Sequence, residues 1–215
     1  MLFRSQDALR SHDWTGVYPD LHAFCSADLS AFYFDVRKDA LYCDAPGSLR
    51  RRAARTVLDH LHRCLTAWLA PVLCFTAEEA WLARFPSEDG SIHLQQFPAL
   101  PAAWSDPALG ARWAAIRDAR GTITAALEAA RLEKLIGASL QAAVTLPPSF
   151  AEWLPWDEWA EVAIVSSAGP GPLGVVRAPG AKCARCWRVL PEVSDAALCL
   201  RCTDAVAQPA REAAE

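Results

Sequence analysis

The chain has 215 residues, 53% hydrophobic and 21% charged, a globular composition large enough for one domain plus a smaller one. Its longest apolar stretch, Leu65 to Phe75, contains Pro71 and falls far short of the roughly 20 residues that span a bilayer; the first residues lack the apolar run of a secretory signal. A cytoplasmic protein with no membrane segment is therefore expected. The net charge of −4 does not exclude a nucleic-acid partner, because residues 47–75, 107–136 and 182–202 are locally basic.

In chain order, Leu21, Phe24, Leu29, Phe32 and Phe34 predict helix from Val17 to Lys38, although the period is imperfect. Tyr42 to Gly47 reads as a loop, after which Ser48 can cap a long helix with a buried stripe of Leu49, Ala53, Val57, Leu61, Leu65 and Trp68. Arg50, Arg51, Arg52 and Arg55 crowd the start of this helix, where its dipole prefers anions. Two readings follow: a phosphate partner relieves them, or they form a solvated face with acidic neighbours. Pro71 ends the helix, and Thr76-Ala-Glu-Glu79 predicts a capping box for a short helix through Phe85. A loop with an extended piece at Ile92 to Gln95 follows. Asp106-Pro107 opens another long helix, with Gly137 as its expected stop.

Beyond Gly137 the pattern changes. Leu140, Ala142, Val144 and Leu146 alternate with Ser139, Gln141, Ala143 and Thr145 as in a strand. A short helix around Phe150 to Leu154 and strands at Glu161 to Ser166 and Gly174 to Ala178 complete the expectation, the last two separated by a flexible Gly169-Pro-Gly-Pro172. The fold class is thus mainly α: a helical region over 15–136, a small mixed α/β unit over 138–180, a cysteine ribbon over 181–203, and a disordered tail over 204–215.

Four of the eight cysteines form C-x2-C-x12-C-x2-C: Cys183, Cys186, Cys199 and Cys202. Two such knuckles can present four thiolates to one tetrahedral ion, which points to a single structural zinc with no open coordination position. A rubredoxin-like iron site, two disulfides and free thiols are the alternatives. A segment this short rarely folds without a staple, so loss of the metal is expected to unfold mainly residues beyond about 180. Lys182, Arg185, Arg188 and Arg201 surround the cluster, with Trp187 after the second ligand. These cations favour thiolates, and they are equally suited, with the ring, to contact RNA. Trp187 alone reads either as a cover over the ribbon or as a stacking platform.

Four stretches, in order, resemble bacterial-type isoleucyl-tRNA synthetases. Phe24 to Cys43 (FCSADLSAFYFDVRKDALYC) and Arg50 to Trp81, ending in APVLCFTAEEAW, are similar to segments of that family's helical anticodon-binding domain. Arg131 to Ala142 (RLEKLIGASLQA) is similar to an element after its long helix, and Lys182 to Trp187 with Cys199 to Cys202 is similar to its C-terminal zinc finger. The resemblance implies a helical anticodon-binding bundle and a tRNA-binding role, with isoleucine tRNA as partner. The basic helix start and the cations and ring around the cysteines make Arg50, Arg51, Arg52, Arg55, Lys182, Arg185, Trp187, Arg188 and Arg201 the candidate RNA contacts. The family's HIGH-type and KMSKS-type signatures, which bind ATP, do not occur here, nor does its editing insertion. The chain by itself is therefore expected to be a catalytically inactive monomer that binds one zinc and no ATP. Two alternatives stand beside this reading. One is an interaction module that docks on a separately encoded catalytic part. The other is the zinc-finger portion of a DNA glycosylase-like enzyme, whose N-terminal Pro-Glu pair is replaced here by Met1-Leu2-Phe3.

Overall fold

The imperfect period between Val17 and Lys38 has a backbone cause. A computed structural model describes residues 11, 13, 15–193 and 197–208. In it Val17–Ala23 (α1) is α-helical, Phe24–Phe34 widens into a π-helix, and Asp35–Cys43 (α2) returns to α geometry. A π turn bonds residue i to i+5, so side chains spaced for 3.6 residues per turn drift around the axis. Leu29 is accordingly buried whereas Phe34 is exposed.

Ser48 caps the next helix, Leu49–Leu69 (α3), its Oγ accepting from the Arg51 amide at 3.2 Å. The buried stripe is not the expected one at its start. Leu49 and Val57 are exposed, and the inward face carries Ala54, Cys64, Ala67 and Trp68. At the start of the helix the buried position moves one residue along, from Ala53 to Ala54, about 100° around the axis, whereas Trp68 is buried as expected. The following helix, Cys74–Arg84 (α4), starts two residues ahead of Thr76, so the expected capping box does not form. Glu78 instead accepts from Ser91 Oγ at 3.0 Å and from the Ile92 amide at 2.8 Å, closing the loop in a single 3-10 turn, Ile92–Leu94, where an extended piece was expected. Trp81 Nε1 donates to Gly90 O at 2.8 Å from the same side.

The chain divides into two compact units that do not follow chain order. One joins Met1–Asp35 to Arg52–Ser105; the other joins Val36–Arg51 to Asp106–Glu215. The first has a helical core of Leu21, Cys64 and Trp68 and a neighbouring cluster of Ala67, Ala70, Ala77, Trp81 and Ile92; Phe97 packs on both.

In the second unit, Asp106 Oδ1 accepts from the Leu109 amide at 2.9 Å and starts helix Pro107–Leu132 (α5), as its sequence predicts. The helix stops earlier than Gly137. Lys134 takes the left-handed conformation (φ 59°), and the Leu135 amide reaches back to Ala130 O at 3.0 Å. Strand Ala142–Leu146 (β1) buries Ala142, Val144 and Leu146, as the alternation requires. Glu161 to Ser166 is not a strand. Val162 ends helix Trp156–Ala163 (α6) with Ala163, Ile164 turns left-handed (φ 56°), and the strand moves to Ser167–Pro170 (β2). Burial overrides β propensity here: Trp159 and Val162 sit on the covered face of α6, at 0% and 3% exposure. Arg120 Nε from α5 donates to Val162 O at 2.8 Å, closing the end of α6. Gly174–Arg177 (β3) pairs antiparallel with β1 and β2 pairs parallel, giving the order β2-β1-β3.

The ribbon is a two-stranded hairpin, Ala181–Lys182 (β4) against Val189–Leu190 (β5), followed by helix Leu200–Ala207 (α7). That helix runs past residue 203, into the stretch where a disordered tail was expected; residues 209–215 lie outside the described residues. Its buried Ala205 gives the added turn an anchor. Gly180 enters the hairpin with φ +104°, and a Cβ there would lie 2.1 Å from Leu190 O. Gly180→Ala should therefore cost well over the ~1 kcal/mol of an ordinary glycine replacement. Limited proteolysis should show a ribbon that opens while α1 and α4, in the other unit, stay resistant.

Candidate metal centre and the charged strap beside it

The four ribbon cysteines meet at one point. Their sulfurs all lie within 4.8 Å of one another, and Cys186 Sγ and Cys199 Sγ are 3.8 Å apart. An ion bound tetrahedrally at about 2.3 Å from each sulfur sets edges of about 3.8 Å, so the arrangement fits one metal ion. Cys183 and Cys202 are fully buried and Cys199 nearly so. Burial pushes the Cys186, Cys199 and Cys202 thiols up. Burial also opposes the Cys183 thiolate, but amides of Cys186, Cys199 and Arg185 outweigh it and hold Cys183 at about 6; the Cys199 amide donates to its sulfur at 3.3 Å. Cys183 is thus the ligand whose surroundings most favour the thiolate form that a metal ion takes.

A fifth cysteine packs on this cluster without joining it. Cys43, the last residue of α2, shares the ribbon's apolar core with Val193 and Leu190. Burial and the nearby Asp39 carboxylate push its thiol up to about 11, which keeps it a neutral packing group.

The ribbon is strapped to the end of α2 by its own arginines. Arg185, inside the first knuckle, donates to Tyr42 O at 2.9 Å and to Cys43 O. Those carbonyls have no helical partner, and a cation there also suits the helix dipole. Arg201, next to the last ligand, holds Asp39 Oδ1 at 2.7 Å and Asp44 Oδ1 at 3.1 Å. Arg50 grips Asp44 with two bonds of 2.6 Å and reaches Glu161 Oε2 at 2.7 Å; Arg37 takes Glu161 Oε1 at 2.6 Å. Three carboxylates, Asp39, Asp44 and Glu161, thereby meet three guanidiniums, Arg37, Arg50 and Arg201. Asp44 and Glu161 are 7% and 11% exposed, so their charges depend on these partners.

Arg188 makes a second strap. Its guanidinium donates to Ser166 O, while Ser166 Oγ donates to Leu140 O at 2.6 Å and accepts from the Val189 amide at 2.7 Å. Ser166 is fully buried, and it joins the three-stranded sheet to the ribbon hairpin. Nothing in the sequence singles it out, because a lone serine after a β-branched run carries no spacing signal.

The nine candidate RNA contacts therefore fall into different settings. Arg50, Arg185, Arg188 and Arg201 are engaged inside the protein as described. Arg51 is half-buried, its Nη1 donating to Asp44 O at 3.0 Å. Arg52 and Arg55 are exposed, with no ion-pair partner among the described residues. Trp187 is 59% exposed, and Lys182 Nζ stands 5.3 Å from its ring centre.

Residues 3–146 match the family described as the anticodon-binding domain of tRNA ligase. The chain belongs to that family. It is 58% identical over 214 residues to the isoleucine–tRNA ligase of Gluconobacter oxydans, covering 93% of this chain and 22% of that protein. Against the isoleucine–tRNA ligase of Zymomonas mobilis the identity is 46% over 201 residues (87% of this chain, 21% of that protein), and against that of Agrobacterium fabrum 43% over 208 residues (87% and 21%). The chain thus spans about a fifth of the length of these relatives. As an anticodon-binding domain it is mainly helical, with small sheets and a four-cysteine cluster, and no described helix is long and apolar enough to cross a membrane.

Proposed function

We propose that this chain is the tRNA-binding portion of an isoleucyl-tRNA synthetase, contacting the anticodon arm of isoleucine tRNA and holding one structural zinc at Cys183, Cys186, Cys199 and Cys202. The observation that carries the reading is the family match over residues 3–146, together with relatives that are isoleucine–tRNA ligases. Zinc is the metal because the site is all-sulfur, closed and buried, with no place for substrate. Isoleucine activation belongs to sequence of a different kind, since none of the family's ATP-binding signatures occurs in these 215 residues.

Within this reading the cations that meet phosphate are Arg52, Arg55 and Lys182, with Arg51 in reach if its bond to Asp44 O opens. Arg50, Arg185, Arg188 and Arg201 act by building the surface rather than by touching RNA. Every cation removed from a phosphate lowers the slope of log K against log salt by roughly 0.7 to 0.9. Arg52→Ala plus Arg55→Ala should flatten that slope by about one to two units in tRNA titrations at several salt concentrations. An unchanged slope would remove these two residues from the interface.

A further inference from the structure

Tyr42 is 74% exposed in the last turn of α2, although the next residue, Cys43, is buried in the ribbon's core. Its backbone is held from outside the helix, because Arg185 bonds the carbonyls of both Tyr42 and Cys43. Two residues after Arg185 stands Trp187, also exposed, in a left-handed backbone conformation (φ 66°) that residues with a side chain rarely adopt. Arg185 thus ties together two backbone segments that each carry an exposed ring, its own charge taken up by the carbonyls. Lys182 places a cation beside the second ring, with no ion-pair partner among the described residues. Exposed aromatic faces on fixed backbone, with a cation close by, are what unstacked nucleobases need.

We propose that Tyr42 is a nucleobase-stacking residue, forming with Trp187 and Lys182 one surface for a single-stranded stretch of tRNA. This rests on the tRNA-binding reading above. The zinc ribbon assembles the surface, since Arg185 lies between two of its ligands. Stacking neutralises no phosphate, so it adds affinity without adding to the salt dependence.

The test is titration of the zinc-loaded chain with an isoleucine tRNA transcript at several salt concentrations, for the wild type, Tyr42→Ala and Tyr42→Phe. Zinc content and helical circular dichroism confirm that each variant is folded. Tyr42→Ala should weaken binding about 5- to 150-fold with an unchanged salt slope. Tyr42→Phe, which keeps the ring, should retain most of the affinity. A folded Tyr42→Ala that binds like the wild type overturns the proposal, and so does a Tyr42→Phe as weak as the alanine variant. A wild type that binds no tRNA instead overturns the tRNA-binding reading itself.

Discussion

Replacing Cys186 with Ser should release more of the chain than the ribbon. A structural zinc contributes on the order of 10 kcal/mol or more to the folding of a short metallo-segment, and the loss of one thiolate removes much of that. The sequence alone suggests damage confined to residues beyond about 180. The straps make the damage wider. Arg185 and Arg201 lie within the ligand-bearing segments and hold Tyr42, Cys43, Asp39 and Asp44. When the knuckles open, α2 loses its terminal partners and Asp44 loses one of its two cations. Hydrogen exchange on Cys186→Ser, or on the wild type after strong chelation, should show reduced protection over residues 181–207 and also over 39–51. The helical unit containing α4 should keep its protection. Zinc analysis should give one ion per wild-type chain. A ribbon that opens while residues 39–51 stay protected would refute the strap.

Arg50→Ala should be the most damaging single change at the cluster of arginines that opens α3. It leaves Asp44 with Arg201 alone and Glu161 with Arg37 alone, although these carboxylates are only 7% and 11% exposed; Arg50 itself is 35% exposed. Removing one partner of a buried pair costs ~3–5 kcal/mol; partial exposure lowers that here to about 2–4. The part of the penalty that runs through Asp39, which Arg50 also contacts at 3.1 Å, should shrink in acid. Asp39 carries its charge against its burial because Arg201 and Arg50 favour the carboxylate, holding it below its ordinary value of 3.8. A carboxylate lowered in the folded state stabilises fully above its unfolded value, and that stabilisation is lost as pH falls through the folded value. Urea unfolding at neutral pH and at a pH below the ordinary carboxylate value of 3.8 should therefore separate wild type and mutant more widely at the first than at the second. Arg52→Ala, made on an exposed residue, should change stability little at either pH.

How far the chain could be read in advance depended on the range of the interactions. The Asp106-Pro107 start, the Ser48 cap, the alternation over β1 and the four-cysteine spacing are local signals, and each is realised where its residues stand. The stop of α5 at Lys134, the helix over Val162 and the rotated face at the start of α3 were illegible, because burial by distant elements decides them. The arginine crowding at the start of α3 was visible as an electrostatic problem, but not its solution. Arg50 finds Glu161 111 residues onward and shares Asp44 with Arg201, which lies 157 residues beyond that aspartate. Phosphate and internal carboxylates relieve such a cluster equally well on paper; for Arg50 the carboxylates are the partners.

The tRNA-binding account is tested most directly by comparing isoleucine tRNA with an unrelated tRNA at equal, moderate salt, using the zinc-loaded chain. Phosphate contacts carry no sequence information, so a preference that survives when salt has weakened them reports on bases read in the loop. The account predicts tighter binding of isoleucine tRNA under those conditions. Equal binding of the two tRNAs at every salt concentration, with the Arg52→Ala plus Arg55→Ala variant showing the wild-type slope, would contradict it.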